Sequence, residues 1–396
     1  MAETWCKAFG RYLRTLRQRR GLSLQEVCSL SQAFAERLEK GYLSRCENGY
    51  QGPAFSKIIP LSRIYDVPAD VLLERLELDM ELDRVGSPPT DGMTFAELTR
   101  AARETFNQGF AWHAYAFARD ALVPAAEEPV GVLYRDATEQ RACAVMHCAT
   151  VALHLGRKRF ALHELKLIEN SGDVGPGFFP VLLERLSVTY RRLQQLDLAR
   201  HYGDKAIREA EGSGAIRWLG YAYSNRAHLA LTEHDLESAA ALYQRAHRAF
   251  QAAGREHERS RTLNNLAQVY FDLGRMSAAR RTLVVAGRVA ESFGQHRARA
   301  LGRILMGEID ALEQKCDLAA QRWKEASDIA RRLNDKVLRF KAEYLLFKQA
   351  FEKGNQPVAR SLGRRLKKLS NWIPQDTPEL ASFQQLQSGP RSALPS

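Results

Sequence analysis

The sequence predicts an all-α protein: a small N-terminal helical module followed by a long array of helix pairs. Three observations carry this. Apolar residues recur at helical spacing through nearly the whole chain, and β-type alternation is not sustained anywhere. The first 76 residues are divided by helix-capping signals into short segments. Beyond residue 94, small residues return every forty positions.

The chain has 396 residues, 45% hydrophobic and 26% charged, enough for more than one domain with its own core. No apolar run reaches bilayer-spanning length, and the N-terminal stretch lacks a continuous hydrophobic segment of the signal-peptide kind, so a cytoplasmic protein without a membrane partner is expected. Six cysteines are scattered without a C-x-x-C pair, which fits reduced, half-buried thiols. Cys143, His147 and Cys148 lack a fourth ligand and fall on a helix, so core packing is expected there and no metal or other cofactor is assigned. The net charge of +12 favours an acidic partner such as nucleic acid.

Phe9 to Arg20 places Phe9, Tyr12, Leu13 and Leu16 on one helical face among arginines. Gly21 ends that helix, and Ser23 with Glu26 forms a capping box for the next. Then comes Lys40-Gly41-Tyr42-Leu43-Ser44-Arg45-Cys46-Glu47, in which Leu43 and Cys46 face a core while Lys40, Ser44 and Arg45 fall elsewhere; Asn48-Gly49 stops it. Phe55 to Tyr65 predicts an amphipathic helix with Phe55, Ile58, Ile59, Leu61 and Ile64 on its apolar side, and Val67 to Leu73 a short fifth helix with Pro68 near its first turn.

This segment resembles the Xre/Cro-repressor type of helix-turn-helix domain, through Gly21-Leu22-Ser23-Leu24-Gln25-Glu26, Tyr42-Leu43-Ser44-Arg45-Cys46-Glu47-Asn48-Gly49 and Tyr65-Asp66-Val67-Pro68-Ala69-Asp70-Val71-Leu72-Leu73. The connection through Leu30 to Arg37 is longer than the usual pattern and leaves the start of the recognition helix open. The resemblance implies that Lys40, Gly41, Ser44 and Arg45 face the major groove of double-stranded DNA, while Gln25 and Asn48 hold phosphate.

Residues 77–93 read as a linker: the chain turns acidic at Glu77, Asp79, Glu81 and Asp83, and Gly86-Ser87-Pro88-Pro89 then breaks any helix, so a helical extension followed by a hinge is the simplest account. In residues 94–374, Gly214, Gly254 and Gly294 lie forty apart, with Asn334 and Pro374 continuing the series. An alanine recurs on each second helix (Ala114, Ala161, Ala199, Ala239, Ala279, Ala319, Ala359). Twelve residues before each stands a residue that is small everywhere except at Phe347. Such units cannot bury their own faces and must stack on one another.

The array resembles the tetratricopeptide repeat, most clearly at Leu263-Asn264-Asn265-Leu266-Ala267-Gln268-Val269-Tyr270-Phe271-Asp272-Leu273-Gly274. The resemblance implies a right-handed solenoid of about seven helix pairs. It also implies a concave groove whose central lining is Ser224, His228, Asn264 and Gln268, flanked by Glu308, groups suited to a peptide backbone. Asn225 and Asn265 read instead as scaffold. Residues 375–396 read as a capping helix at Glu379 to Leu386 followed by a disordered tail.

No phosphate loop, nucleophile elbow or H-E-x-x-H is present, so no enzyme is expected. The two resemblances together point to regulators of the Rgg, PlcR, NprR and PrgX kind, which implies a homodimer whose repeats bind a signalling peptide or protein and govern the placement of two DNA-binding heads. The alternative is an adaptor whose repeats assemble a protein complex, with the N-terminal module as a tether.

Overall fold

The computed structural model describes residues 5–108, 110–127, 129–131, 134–373 and 377–388, and every regular element among them is a helix. None is long and apolar enough to cross a membrane. The chain divides into two compact units, Met1–Ser213 and Gly214–Ser396.

The first unit opens with α1 (Trp5–Arg19), α2 (Leu24–Ser31), α3 (Lys40–Glu47), α4 (Phe55–Tyr65) and α5 (Ala69–Val85). Phe9, Tyr12, Leu13 and Leu16 are buried, as the spacing predicts. Both halves of the α2 capping box form: the Glu26 N–H donates to Ser23 Oγ at 3.2 Å and the Ser23 N–H to Glu26 Oε2 at 2.7 Å. On α4, Ile58, Leu61 and Ile64 are buried, but Phe55 and Ile59 are exposed. Those two lie on the edge of the predicted stripe, and α5 and α2 cover only its centre.

α5 is far longer than the predicted short helix. Residues 77–85, read as a helical extension at the start of the linker, do form a helix and are continuous with it, because Leu78 and Leu82 continue the apolar stripe and are fully buried. They enter one core that runs from α1 to α5 and on into α7 (Ala111–Asp120), α9 (Ala137–His154) and α10 (Lys158–Ser171). Inside that core lies a cation. Arg75 donates from Nε to Asp79 Oδ2 at 2.9 Å and sits 5.1 to 5.9 Å from the rings of Tyr12, Phe160 and Tyr115. Asp79 also meets Arg119 at 3.3 Å, and the Tyr12 hydroxyl donates to the buried Glu164 at 3.2 Å. A buried charge is tolerated only when paired, so this network joins the N-terminal module to the first helix pairs in one arrangement.

The remaining elements of this unit are α6 (Phe95–Gln108), a one-turn α8 (Pro124–Glu127), α11 (Phe179–Arg192) and α12 (Leu196–Gly212). The second unit holds α13 (Ile216–Thr232), α14 (Leu236–Ala252), α15 (Glu256–Asp272), α16 (Met276–Ser292), α17 (His296–Leu312), α18 (Cys316–Arg332), α19 (Lys336–Glu352), α20 (Gln356–Ser370) and α21 (Pro378–Ser388). α6/α7, α9/α10, α11/α12 and the four pairs from α13/α14 to α19/α20 are the seven helix pairs. The recurrent alanines of their second helices are all buried. Cys143 and Cys148 are buried core residues of α9, and desolvation pushes both thiols up to about 12.

The forty-residue period is two equal halves of twenty. Left-handed residues stand at Gln194, Gly214, His234, Gly254, Gly274, Gly294, Gln314, Asn334 and Gly354, ending successive helices. After all of these but Gly214, the next N–H returns to a carbonyl five residues back, as Asp235 does to Ala230 (2.9 Å) and Gln295 to Ala290 (2.7 Å). Pro374, the last member of the predicted series, lies outside the described residues. At Phe347, the exception to the small-residue rule, α21 takes the place of a further repeat: the Phe383 ring meets Phe347 edge-on at 5.4 Å and Phe340 at 5.9 Å. α21 realises the predicted capping helix; residues 389–396, read as a tail, lie outside the described residues.

Candidate nucleic-acid interface and groove

α3 begins at Lys40, after Glu39 in extended conformation. The long connection before it is held by Lys57, which donates to the Arg37 carbonyl, and above all by Ser31. Buried Ser31 donates from Oγ to the Cys28 carbonyl (2.7 Å) and accepts from the Leu38 N–H (2.9 Å), which fixes where α3 starts.

Leu43, Cys46 and Glu47 form the buried side of α3, while Lys40, Gly41 and Arg45 are exposed and Ser44 is half-buried. A Cβ built at Gly41 would stand 3.4 Å from Arg45 Nη1, so the two share a face. Arg45 donates from Nε to Gln51 Oε1 at 3.0 Å; among the described residues its Nη groups have no partner, which leaves the fork that pairs with guanine available. Gln25 is exposed on the first turn of α2. Asn48 is otherwise engaged: it accepts from Arg14 Nη2 at 2.6 Å and donates to the Ser44 carbonyl at 2.8 Å.

The side chains beneath α3 matter as much as those on it. Glu47 is buried and receives Arg17 through Nε (2.7 Å) and Nη2 (2.9 Å), with Arg14 at 3.5 Å. This fork is the strong, geometrically defined kind of ion pair, and it raises the Arg17 pKa. Two glycines let α1 cross the end of α3: a Cβ at Gly10 would lie 2.3 Å from the Cys46 carbonyl oxygen, and one at Gly49, at φ +73°, 2.5 Å from Lys7 Cα. None of these contacts was singled out from the sequence. The signal was present: Glu47 lies four residues from Leu43, on the buried side, facing an arginine-rich helix with no acid of its own.

In the second unit the predicted groove residues occupy equivalent positions on α13, α15 and α17, and α15 touches α17 directly. Most are tied to the scaffold. His228 Nδ1 and the Tyr243 hydroxyl share a 2.9 Å hydrogen bond. Asn264 donates from Nδ2 to the Ala298 carbonyl of α17 at 2.8 Å, and its buried Oδ1 has no partner among the described residues. Gln268 is exposed and donates to Asp272 at 2.9 Å. Ser224 is half-buried, Asn225 is buried and Asn265 half-buried. Burial pushes the Glu308 carboxyl up from its usual range; Lys341 opposes this, and Glu379 and Asp272 add to it. The structure thus gathers Gln268, Asp272, Glu308 and the Lys341–Glu379 pair (3.1 Å) around one stretch of the surface.

Residues 8–76 match a family model described as a helix-turn-helix domain, and residues 218–292 match one for the tetratricopeptide repeat. The chain therefore combines these two domain types. No curated protein matches the chain. Among solved structures, it is similar to the apo form of RapI at 12% identity and a TM-score of 0.55, covering 74% of this chain and 80% of that one. It is similar to a Signal Transduction ATPase with Numerous Domains carrying a tetratricopeptide repeat sensor from Pyrococcus horikoshii (14%, TM-score 0.57, 90% and 53%). A third is the Rap conjugation gene regulator of the plasmid pLS20, in complex with the Phr* peptide (14%, TM-score 0.51, 100% and 98%). At such identities the likeness is one of fold.

Proposed function

We propose that this protein is a sequence-specific DNA-binding transcriptional regulator. Lys40, Gly41, Ser44 and Arg45 read base edges, and Gln25 holds the backbone, whereas Asn48, expected to hold phosphate, is bonded to Ser44 and instead positions Arg14 beside it. The carrying observation is that α3 presents Arg45, whose Nη groups have no partner among the described residues, from a helix locked below by the Arg17–Glu47 fork. Preorganisation of this kind lowers the cost of forming an interface. Residues 1–76 are the DNA-binding domain, 77–93 its connection, 94–374 the sensing and dimerising repeats, and 375–396 a C-terminal cap and tail.

The ligand in this reading is a signalling peptide or protein segment lying along Ser224, His228, Asn264, Gln268 and Glu308. The peptide complex of the pLS20 regulator, whose fold is similar, supports it. A ligand that takes over the amide of Asn264 or the ring of His228 breaks bonds to Ala298 and Tyr243, so binding shifts neighbouring helices. In a homodimer such shifts move two heads that must match half-sites one helical turn apart. The test is an electrophoretic shift with the promoter of the protein's own gene. Specific binding that weakens steeply with salt supports the reading; equal affinity for unrelated duplexes refutes it.

A further inference from the structure

Two helices at opposite ends of the chain hold eleven basic residues and no acid, against a net charge of +12 for the whole protein. One is α1 with Arg20, and most of its charge is used internally: Arg14 and Arg17 meet Glu47, Arg19 meets Glu164 and Arg20 meets Asp66. The other is α20, where the charge is left over. Among the described residues only Arg365 of its five cations has a carboxylate partner, Glu343 at 3.5 Å, and Glu343 is already bound by Arg339 at 2.8 Å. Arg364, Lys367 and Lys368 are exposed and have none.

These three, beside the Glu343-paired Arg365, line a cleft of about 740 Å³ between α20 and α21, whose wall also includes the neutral Ser361, Ser370, Asn371 and Gln384. α21 is fixed there, since Phe383 is buried against Phe340 and Phe347. We infer that this cleft binds a small phosphorylated ligand, with Arg364, Lys367 and Lys368 around the phosphate and the neutral side chains on the rest of the molecule. The spacing i, i+3, i+4 brings the three cations onto one spot of the helix surface rather than along a track. The volume falls in the range of small-molecule sites, roughly 300–1,000 Å³. Cations in the last turn also complement a helix dipole of about half a charge, but Arg364 lies before that turn and three full charges exceed what the dipole attracts.

Calorimetric titration of the full chain with inorganic pyrophosphate at constant ionic strength tests this. Saturable binding is expected, weakened at least about tenfold in the Arg364→Gln/Lys367→Gln/Lys368→Gln variant. It should be unchanged in Arg281→Gln/Arg288→Gln, which removes two exposed arginines of α16 outside the cleft. No saturable heat, or equal affinity in the triple variant, overturns the inference. Fluorescence anisotropy on duplex DNA separates the other source of phosphate. The triple variant should bind DNA as the native chain does, and a loss of about three from the log–log salt slope would assign these cations to the DNA backbone and overturn the small-ligand site. All three side chains are exposed and, among the described residues, unpaired, so the variant should keep its helical content and thermal midpoint; a variant that unfolds would show that they serve the fold instead.

Discussion

The outer face of α3 and the groove of the second unit are both lined by polar side chains, but they are built in opposite ways. On α3 the candidate readers Lys40, Gly41 and Arg45 are exposed while the positions beneath them are fastened by the Arg17–Glu47 ion pair and two close backbone crossings. In the groove the candidate ligand groups are themselves the fasteners: His228 holds Tyr243 and Asn264 holds Ala298. The first construction presents a surface without changing it. Under the proposed function the second links occupancy to helix placement, which separates a reader from a sensor.

The contrast breaks most easily at Glu47. Glu47→Ala takes the carboxylate from half-buried Arg17, which keeps only the Leu22 carbonyl, and should cost about 2 kcal/mol, read in the urea unfolding transition of the first unit. A loss below about 1 kcal/mol would mean that α3 is not held from beneath. Arg45→Ala should leave that transition in place and weaken specific DNA sites by roughly 1–3 kcal/mol, measured by quantitative mobility shift. In the groove, Asn264→Ala should cost about 1 kcal/mol of stability through its bond to Ala298. Gln268→Ala should stay within about 0.5 kcal/mol in thermal unfolding. Both should blunt the ligand response, and equal stability of the two would dissolve the distinction between fastener and bystander.

The smallest effect concerns pH. Burial holds the Glu308 carboxyl above its ordinary value of 4.5, so the native chain keeps this proton more tightly than the unfolded one. Stability therefore falls as pH rises from that value through the raised pKa. Glu308→Gln should flatten this slope in denaturation curves taken across the acid range, and an unaltered slope would place Glu308 in solvent.

Much of this was legible in the residues. The capping box of α2, the buried sides of α1 and α3 and the ladder of alanines follow from local chemistry and period, and the structure has them where the spacing puts them. What was not legible depends on partners far away in the chain. The second half of α5 reads as an acidic helical extension, but Asp79 looks solvated until Arg75 and Arg119 are placed beside it. Phe347 reads as an irregular repeat until Phe383 arrives from α21. The groove residues are polar by sequence, but only the structure shows that Asn264 and His228 are already bonded.

Selection of binding sites from randomised duplexes, carried out in parallel with the native chain and Arg45→Ala, tests the central claim most directly. The native chain should enrich one operator with a guanine at a fixed position, and Arg45→Ala, still folded, should lose the preference at that position while keeping the rest. The same sites recovered by both proteins, or none by either, would contradict α3 as the reader.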